Sequence, residues 1–306
     1  MTASVLTVPD LSTEAWPGPP AGRRFRLGSE EHKRLFCRTL LDTFDPYRPA
    51  IIDWPKLEPG ARDRLVNLPI WDIAVQTEGK AGLRVRTYAG FVDDPLLKKA
   101  VVLNAYEESR HKVVLANMVE AYGIKLEPEP EYKVPRDAEW AFMVTGFSEC
   151  IDSFFAFGLF QTAKRTGLFP PELVDTFEPV IQEEGRHILF FVNWVAWHRR
   201  NMPLWRRPWF EAKVAAVWLF LAWERMGIAR DLDSSGAAQD ANFTVNGAEQ
   251  LGADINLPDL IDLCLAENDR RLGGYDQRLL RPTFVPRMVR LARWFMKSPT
   301  AKPAAA

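Results

Sequence analysis

The sequence predicts an all-α protein, an antiparallel four-helix bundle with helical extensions at its N-terminal and C-terminal ends. Between residues 67 and 200, apolar residues recur at the spacings of three and four that are typical of helices. Helix-starting and helix-stopping residues divide this region into four long segments, arranged as two hairpins. Few alternating runs of β-branched residues, the pattern of strands, occur in the chain.

The N-terminal 66 residues predict a loose arm followed by a helix. Residues 1–28 are rich in Pro, Gly, Ser and Thr, which favours a flexible arm. In residues 29–66, apolar spacing predicts a helix over 30–44, and four prolines in the stretch after it predict an extended wrap. These residues therefore lie outside the predicted bundle.

Residues 67–202 form the predicted bundle, and its turns are marked by capping residues. Asp94 is a good N-cap with Pro95 as the first helical position, and Gly123 is a typical C-terminal stop. The four predicted helices occupy residues 69–92, 95–123, 137–166 and 171–201. Each pair is joined by a turn, so neighbouring helices run antiparallel.

Residues 203–306 predict a C-terminal helical extension that packs on the bundle. Its helices are expected at 207–228, 258–270 and 285–297, and the first is followed by a polar loop. The most apolar run, 214–223, is too short to cross a membrane.

The last of these helices separates basic from apolar residues. Arg287, Arg290 and Arg293 lie on one side, and Met288 and Phe295 lie on the other. Packing on the bundle with the basic face in water is the expected arrangement. Peripheral contact with an anionic membrane or an acidic partner is the alternative.

Composition argues against several classes of protein. The 39 basic and 40 acidic residues give a net charge of −1, which offers no electrostatic attraction for nucleic acid. Cys37, Cys150 and Cys264 are far apart, and none lies in a CxxC motif of a zinc or rubredoxin-like site. The N-terminal residues lack the pattern of a signal peptide. We therefore expect a cytoplasmic protein.

One short motif occurs twice in the chain. EESRHK at 107–112 returns as EEGRHI at 183–188. Residues three apart lie on one face of a helix, so Glu108 with His111 and Glu184 with His187 can each point at one ion. A solvated face of ordinary charge pairs is the alternative for such a motif.

The position of the motifs within their helices argues against a solvated face. Glu184 and His187 interrupt an apolar stripe in the fourth helix, and Glu108 and His111 interrupt one in the second. Burial of an unpartnered carboxylate costs several kcal/mol, and a bound cation offsets that cost. The motifs therefore predict metal ligands.

The geometry of a hairpin predicts two further ligands. Residues at equal distances from the turn of an antiparallel pair lie at the same level, and the second-helix ligands follow Pro95 by 13 to 16 residues. Glu78 precedes Asp94 by 16 residues, and Glu149 holds the matching position in the third helix. Four carboxylates and two imidazoles suit two bridged ions of iron or manganese better than one zinc. The sequence does not choose between two Fe ions, Mn and a mixed Mn/Fe pair.

These residues resemble the ferritin-like di-iron carboxylate superfamily, whose signature is Glu, ExxH, Glu, ExxH on four antiparallel helices. The resemblance covers about residues 67–200. It implies that Glu107 orients His187 and that Glu183 orients His111. Arg110 and Arg186 would then pair with nearby carboxylates, with a surface role as the alternative.

The resemblance also implies a reaction. It predicts an O2-dependent di-iron oxygenase or oxidase, a monooxygenase-like oxidoreductase that draws electrons from a separate reductase or ferredoxin. Ser153, four residues after Glu149, holds the position of a hydroxyl residue found in monooxygenase hydroxylases. The alternatives are a ferroxidase or manganese catalase-like protein, a tRNA-modifying hydroxylase, and a helical interaction protein with a vestigial site. A dimer is the expected oligomer.

The other polar residues near the motifs leave more than one interpretation. Asp152 is a candidate fifth ligand, proton relay or partner of an arginine. Asn104 is a candidate hydrogen-bonding neighbour of Glu108 or a polar residue in a loosely packed spot. His198 is expected to cap the fourth helix, and His32 is expected to be exposed.

A surrounding wall of aromatic and small residues predicts an apolar substrate. Eight aromatic residues lie within a few turns of the ligands, and core packing alone would also explain them. They are Phe142, Phe147, Phe154, Phe155, Phe157, Phe160, Phe191 and Trp194. Gly79, Gly82 and Gly146 lie beside ligands, and we expect them to leave room for a small or medium apolar molecule.

Overall fold

The protein is all-helical in a computed structural model. The structure describes residues 7–13, 16, 18, 24–68, 70–167, 169–234 and 257–296, and within these ranges it contains no strand. The prediction of an all-α fold is therefore confirmed. The rest of the predicted arm and most of the polar loop after the helix at 207 lie outside the described residues.

The described helices follow the predicted order closely. They are α1 (Glu30–Asp42), α2 (Pro59–Val66), α3 (Trp71–Ala89), α4 (Pro95–Tyr122), α5 (Ala138–Thr166), α6 (Pro171–Thr176), α7 (Glu178–Asn201), α8 (Arg207–Ser234), α9 (Leu257–Gly273) and α10 (Phe284–Phe295). Two 3-10 turns are formed by Pro49–Ile51 and Leu204–Arg206.

The ends of the long helices are set by the residues that the sequence marks. The Asp94 carboxylate accepts a hydrogen bond from the Leu97 amide at the start of α4, and Asp137 caps α5 in the same way. Gly123 and Gly167 end α4 and α5 with φ of 67° and 61°, a left-handed conformation that glycine adopts without strain. Local sequence therefore fixes both hairpins.

Helices α3, α4, α5 and α7 form the four-helix core. α3 packs on α4 and α5, and α7 packs on α5 and α4. The N-terminal α1 lies against α7 and α4, while α8, α9 and α10 all contact α5. The interior is densely apolar, with Leu103, Met143, Phe157 and Trp194 fully buried. Helices α3, α4, α5 and α7 thus surround one shared interior.

Three expectations for local structure were wrong. The predicted extended wrap contains helix α2, because Pro59 is a favourable first helical residue. The fourth predicted helix is broken at Phe177 into α6 and α7. Pro179, in the first turn of α7, has no N–H that could donate a hydrogen bond to a carbonyl of α6. α8 also continues to Ser234, into the predicted polar loop.

His32 is buried, although its polar neighbours in the sequence indicated exposure. Its Nε2 lies 2.9 Å from Asn193 Oδ1, and its Nδ1 accepts a hydrogen bond from the Gly28 amide. Burial lowers its pKa, the larger effect, while the hydrogen bond with Asn193 raises it. His32 therefore joins α1 to α7 as a neutral structural residue.

The C-terminal α10 is rotated about its own axis from the expected orientation, so its apolar side does not face the bundle, while Arg287 and Arg290 are exposed as expected. Val285 and Pro286 are its buried residues, whereas Met288, Leu291 and Phe295 are exposed. The helix contacts α5 and α9 along a narrow strip, because its inward residues are one third of a turn away from the apolar stripe.

Among the described residues, α5 alone is long and apolar enough to cross a membrane. Its most apolar window is 56% buried inside the protein. It also packs against α3, α7, α8 and α9. These features are compatible with the core helix of a soluble protein.

Asp94 is predicted to stabilise the fold in two separable ways, as the cap of α4 and as a partner of the buried Lys33 of α1. Asp94→Ala removes both contributions, so chemical denaturation should show a loss of about 2–4 kcal/mol in the free energy of unfolding. Asp94→Asn keeps the cap and removes only the charge, so its loss should be smaller. Equal losses for the two variants would contradict a capping role.

Candidate metal centre

The six predicted ligands converge between the four core helices. Glu78 comes from α3, Glu108 and His111 from α4, Glu149 from α5, and Glu184 and His187 from α7. They form two groups whose ligand atoms lie within 4.8 Å of one another. The first contains Glu78, Glu108, His111 and Glu184, and the second contains Glu108, Glu149 and His187. Because Glu108 belongs to both groups, the two candidate ion positions are adjacent.

Both imidazoles turn the same nitrogen towards the carboxylates. His111 Nδ1 lies 3.1 Å from a Glu184 oxygen and 3.5 Å from a Glu78 oxygen. His187 Nδ1 lies 2.8 Å from a Glu108 oxygen. The two rings have centroids 5.7 Å apart. Two-metal sites hold their ions about 3.5–4 Å apart, and two imidazoles at this ring separation can each bind one ion of such a pair.

The inward-facing atoms of this cluster make no well-aligned hydrogen bond. Glu108 Oε1, His111 Nδ1, Glu149 Oε1 and His187 Nδ1 are all buried, and the close contacts of the two Nδ1 atoms with carboxylate oxygens lack hydrogen-bond geometry. Buried polar atoms are normally paired, because an unpaired one costs about 1–3 kcal/mol. Four such atoms directed at one interior space fit cations that accept their lone pairs. The residues therefore fit a metal site.

Burial and the neighbouring charges shift the pKa values of four of the ligands. Burial raises the pKa of Glu78 to about 8, and burial followed by the neighbouring carboxylates raises that of Glu149 well above its usual value. Burial lowers the pKa of His111 and His187, but their carboxylate neighbours outweigh it and raise both values well above the ordinary range. These four pKa shifts all favour the protonated forms of the ligands.

The outer nitrogen of each imidazole is held by an acid on the opposite helix. His111 Nε2 lies 2.8 Å from Glu183 of α7, and His187 Nε2 lies 2.8 Å from Glu107 of α4. An Nε2–H donor to a carboxylate leaves the Nδ1 lone pair free for a metal. The structure thus makes both cross-helix contacts that the family resemblance implied.

Two arginines complete this outer layer. The Arg110 guanidinium donates to Glu183, and the Arg186 guanidinium donates to Glu107. Each of the four side chains is at most 3% exposed, so the surface role considered for the arginines is excluded. We call Glu107, Arg110, Glu183 and Arg186 the crossed quartet. Its two positive and two negative charges cancel, and it joins α4 to α7 twice.

The last turn of α1 and the segment after it support the crossed quartet from outside. Arg110 donates to the backbone carbonyls of Asp45 and Tyr47, and Arg186 donates to the carbonyl of Leu40. The guanidinium of Arg110 also lies 3.8 Å from the centre of the Tyr47 ring. The Tyr47 hydroxyl donates to Glu183 at 3.4 Å. The sequence offered no signal for Tyr47, because its partners are 63 and more residues away in the chain.

Of the other predicted site residues, Ser153 reaches the ligands and Asp152 does not. Ser153 is buried, and its hydroxyl donates to Glu184 Oε2 at 3.3 Å. The Asp152 side chain is 56% exposed and pairs with Arg225 of α8, so it is neither a ligand nor a proton relay. Asn104 is buried one turn before Glu108. His198 bonds Glu139 of α5 at 2.8 Å, which ties two core helices together near the end of α7.

The glycines beside the ligands do not leave open room. A Cβ on Gly146 would lie 2.2 Å from the Phe191 ring, and one on Gly79 would lie 2.7 Å from the Tyr132 ring. At Gly82 the Ser109 hydroxyl is equally close, at 2.9 Å. Side chains from other segments therefore fill the spaces that the sequence assigned to substrate.

Six of the eight aromatic residues of the predicted wall are buried. Phe142, Phe147, Phe191 and Trp194 are each at most 9% exposed, and Phe191 makes edge contacts with Phe142 and Phe147. Phe154 and Phe157 are also buried, whereas Phe155 and Phe160 are only partly buried. Rings packed in this way exclude water from the α5 and α7 side of the ligands.

Comparison with known protein families, with curated proteins and with solved structures finds no match to this chain. The site is therefore defined by its own geometry: two groups of carboxylate and imidazole ligands, held from outside by a buried network of opposite charges.

The crossed quartet is predicted to control metal affinity. Glu107→Gln keeps the size of the side chain but removes the charge that faces His187 and Arg186. We expect it to weaken Mn2+ or Fe2+ binding about 10–100-fold, as measured by titration of the metal-free protein. It should also lower the free energy of unfolding by about 3–5 kcal/mol, since Arg186 loses its buried partner.

Asp152→Asn is the matched control for this experiment. Asp152 is also an acid paired with an arginine, but it lies outside the site. Its loss should change stability by at most about 1 kcal/mol and leave metal affinity unchanged. Equal effects of the two variants on metal affinity would refute the role of the quartet.

Metal binding is predicted to release protons. The raised pKa values of His111, His187, Glu78 and Glu149 keep these groups protonated near neutral pH, and cations must displace those protons. Metal affinity should therefore rise with pH through the range around 8. Calorimetric titrations in two buffers of different ionisation enthalpy would give the number of protons. Equal heats in both buffers would contradict the prediction.

Proposed function

We propose that the protein is a ferritin-like, O2-dependent non-haem di-iron oxygenase or oxidase. Its substrate in this proposal is a small or medium apolar organic molecule, and its electrons come from a separate reductase or ferredoxin. The observation that carries the proposal is the pair of ligand groups that share Glu108, with four buried atoms in them that make no well-aligned hydrogen bond.

The donor set favours iron or manganese. Four carboxylates and two imidazoles are hard to borderline ligands, and they provide more negative charge than one zinc ion balances. Glu78, Glu108, His111 and Glu184 would hold one ion, and Glu149 and His187 with the shared Glu108 would hold the other. With two iron ions bound, such a centre supplies redox chemistry on O2.

The protein's own residues would prepare this chemistry. The outer carboxylates Glu107 and Glu183 keep the Nε2 protons of the histidines in place, so that each Nδ1 presents a lone pair. The Ser153 hydroxyl donates to Glu184 and so fixes the orientation of that carboxylate. The rigid crossed quartet holds α4 and α7 in register while the inner carboxylates exchange protons for cations.

The surroundings of the site favour an apolar substrate. The rings of Phe147 and Phe191 exclude water on the α5 and α7 side, which protects a reactive centre from hydrolysis and stray reductants. An apolar molecule would gain more than a charged one from such surroundings. The balanced net charge gives nucleic acid no electrostatic advantage. A reducing cytoplasm suits the three buried free cysteines.

Stopped-flow mixing of the ferrous protein with O2, and separately with peroxide, tests this function. We predict rapid O2 consumption by the ferrous protein, coupled to oxidation of an added apolar substrate when an electron donor is present. Glu108→Ala, which removes the shared ligand, should reduce the rate at least about 100-fold. Asp152→Ala on the outer side of α5 is the control and should keep the rate.

The same experiment separates the rival functions. Evolution of O2 from peroxide would favour a manganese catalase-like protein, and release of ferric product without any organic oxidation would favour a ferroxidase. A purified chain that takes up no iron or manganese would favour an interaction protein with a vestigial site. Each of these results would overturn the oxygenase proposal.

A further inference from the structure

The described part of α8 is apolar on two opposite faces, and only one of them is covered by the protein. Its inner face is formed by Phe210, Val217 and Leu221, which are at most 4% exposed and pack in the core beside α5. Its outer face carries Trp209, Leu219 and other apolar side chains in water. A helix that is apolar all round is normally buried on all sides. The exposed apolar residues of the outer face therefore indicate a contact surface for a partner.

We call the outward residues Trp205, Trp209, Ala212, Ala216, Leu219 and Trp223 the α8 seam. Trp205 lies in the 3-10 turn that leads into α8, and all six are exposed. The three tryptophans are 66–75% exposed and Leu219 is 72% exposed. Such exposure of large apolar side chains on one helix face is unusual for a surface that stays in water.

The spacing of the seam fits a second helix. Successive members are separated by 4, 3, 4, 3 and 4 residues, the heptad spacing of two helices packed side by side. The sizes of the seam residues also follow a similar order when they are taken from either end of the seam. Trp205 and Trp223, Trp209 and Leu219, and Ala212 and Ala216 are each equally far from Val214. Two-fold symmetry places each member of such a pair opposite the other.

We propose that the α8 seam is the interface of a symmetric dimer of this chain, in which two α8 helices pack antiparallel about a two-fold axis near Val214. Large residues near the ends meet large residues, and the alanines let the two backbones approach closely at the centre. Each tryptophan buries about 200 Å² in such a contact. With Leu204, Leu219 and the alanines, the face approaches the ~800 Å² that each partner contributes to a stable interface.

The charges around α8 favour a second copy over an anionic membrane. Lys213 is held by Asp137 and Glu139, and Arg225 is held by Asp152 of α5. Lys213 and Arg225 are thus already neutralised, and among the described residues of this segment only Arg206 and Arg207, both at its start, have no carboxylate partner. Helices that lie on anionic lipid instead present free Lys and Arg along the whole of their apolar face. The proposal goes beyond the proposed chemistry and does not depend on it.

Light scattering coupled to size-exclusion chromatography tests the dimer. The full chain at tens of micromolar should give twice the single-chain mass of 34.9 kDa. Leu219→Glu places a charge in the seam and should raise the dissociation constant about 100-fold, so that the single-chain mass appears. Leu291→Glu on α10 is the matched control, since Leu291 is also exposed, and it should remain a dimer. Circular dichroism should show both variants folded.

A cross-linking experiment covers the case in which Leu219→Glu fails to fold. Ala212→Cys combined with Ala216→Cys should form a covalent dimer under mild oxidation, because the two positions face each other across the axis. Arg287→Cys with Leu291→Cys has the same spacing on α10 and should not. The native Cys37, Cys150 and Cys264 are buried and should not contribute.

Three results would overturn the proposal. The first is a single-chain mass for the unmodified protein, and the second is a dimer that Leu219→Glu leaves intact. The third is a single-chain protein that floats with anionic phosphatidylglycerol vesicles and loses this property in Leu219→Glu, which would assign the seam to a membrane surface.

Discussion

The structure depends on one electrostatic constraint, which is that four carboxylates and two imidazoles share an apolar interior. Although the Glu78 and Glu184 side chains are 19% and 13% exposed, most of the cluster is buried, so its charges must be balanced by protons, by cations or by other side chains. The raised pKa values of the inner carboxylates Glu78 and Glu149 favour their protonated forms. The outer carboxylates Glu107 and Glu183 are balanced permanently by arginines. The glutamates therefore serve two purposes. The inner ones can bind protons or cations, and the outer ones pair with arginines.

This division explains why the motif is longer than the ligands require. Glu-x-x-His alone would supply the ions, but an unsupported imidazole could rotate or change its tautomer. The acid before each ligand Glu fixes the histidine of the opposite helix, and the arginine before each ligand His fixes that acid in turn. The segment from Leu40 to Tyr47 then holds the arginines by their guanidinium groups. Because the outer layer is rigid, any adjustment to bound protons or cations is made by the inner carboxylates.

Sequence patterns were sufficient for three of the four core helices and for the residues at the centre. Helical period and capping placed α3, α4 and α5 to within a few residues, because local interactions determine them. Glu78 and Glu149 were found by counting the same number of residues from the turn along both helices of each hairpin. This works because the rise per residue is constant. The crossed contacts of Glu107 and Glu183 required the family resemblance, since spacing along one helix says nothing about the opposite one.

The errors arose where distant segments meet. His32 was predicted to be exposed because its neighbours are polar, but its partner Asn193 is 161 residues away. Asp152 had three open interpretations from the sequence, and only its contact with Arg225 on α8 decides for the partner of an arginine. Gly79 and Gly146 suggested open space, which Tyr132 and Phe191 fill from other parts of the chain. Local patterns carry no record of such tertiary contacts.

X-ray diffraction from crystals of the metal-loaded protein, recorded with anomalous scattering at the iron and manganese edges, tests whether the site holds two ions. We predict two anomalous peaks between α3, α4, α5 and α7, one on each side of Glu108, with His111 and His187 bound through Nδ1. The relative peak heights at the two edges would identify the metals. A single peak, peaks on the protein surface, or ligands that remain unbound at high metal concentration would contradict it.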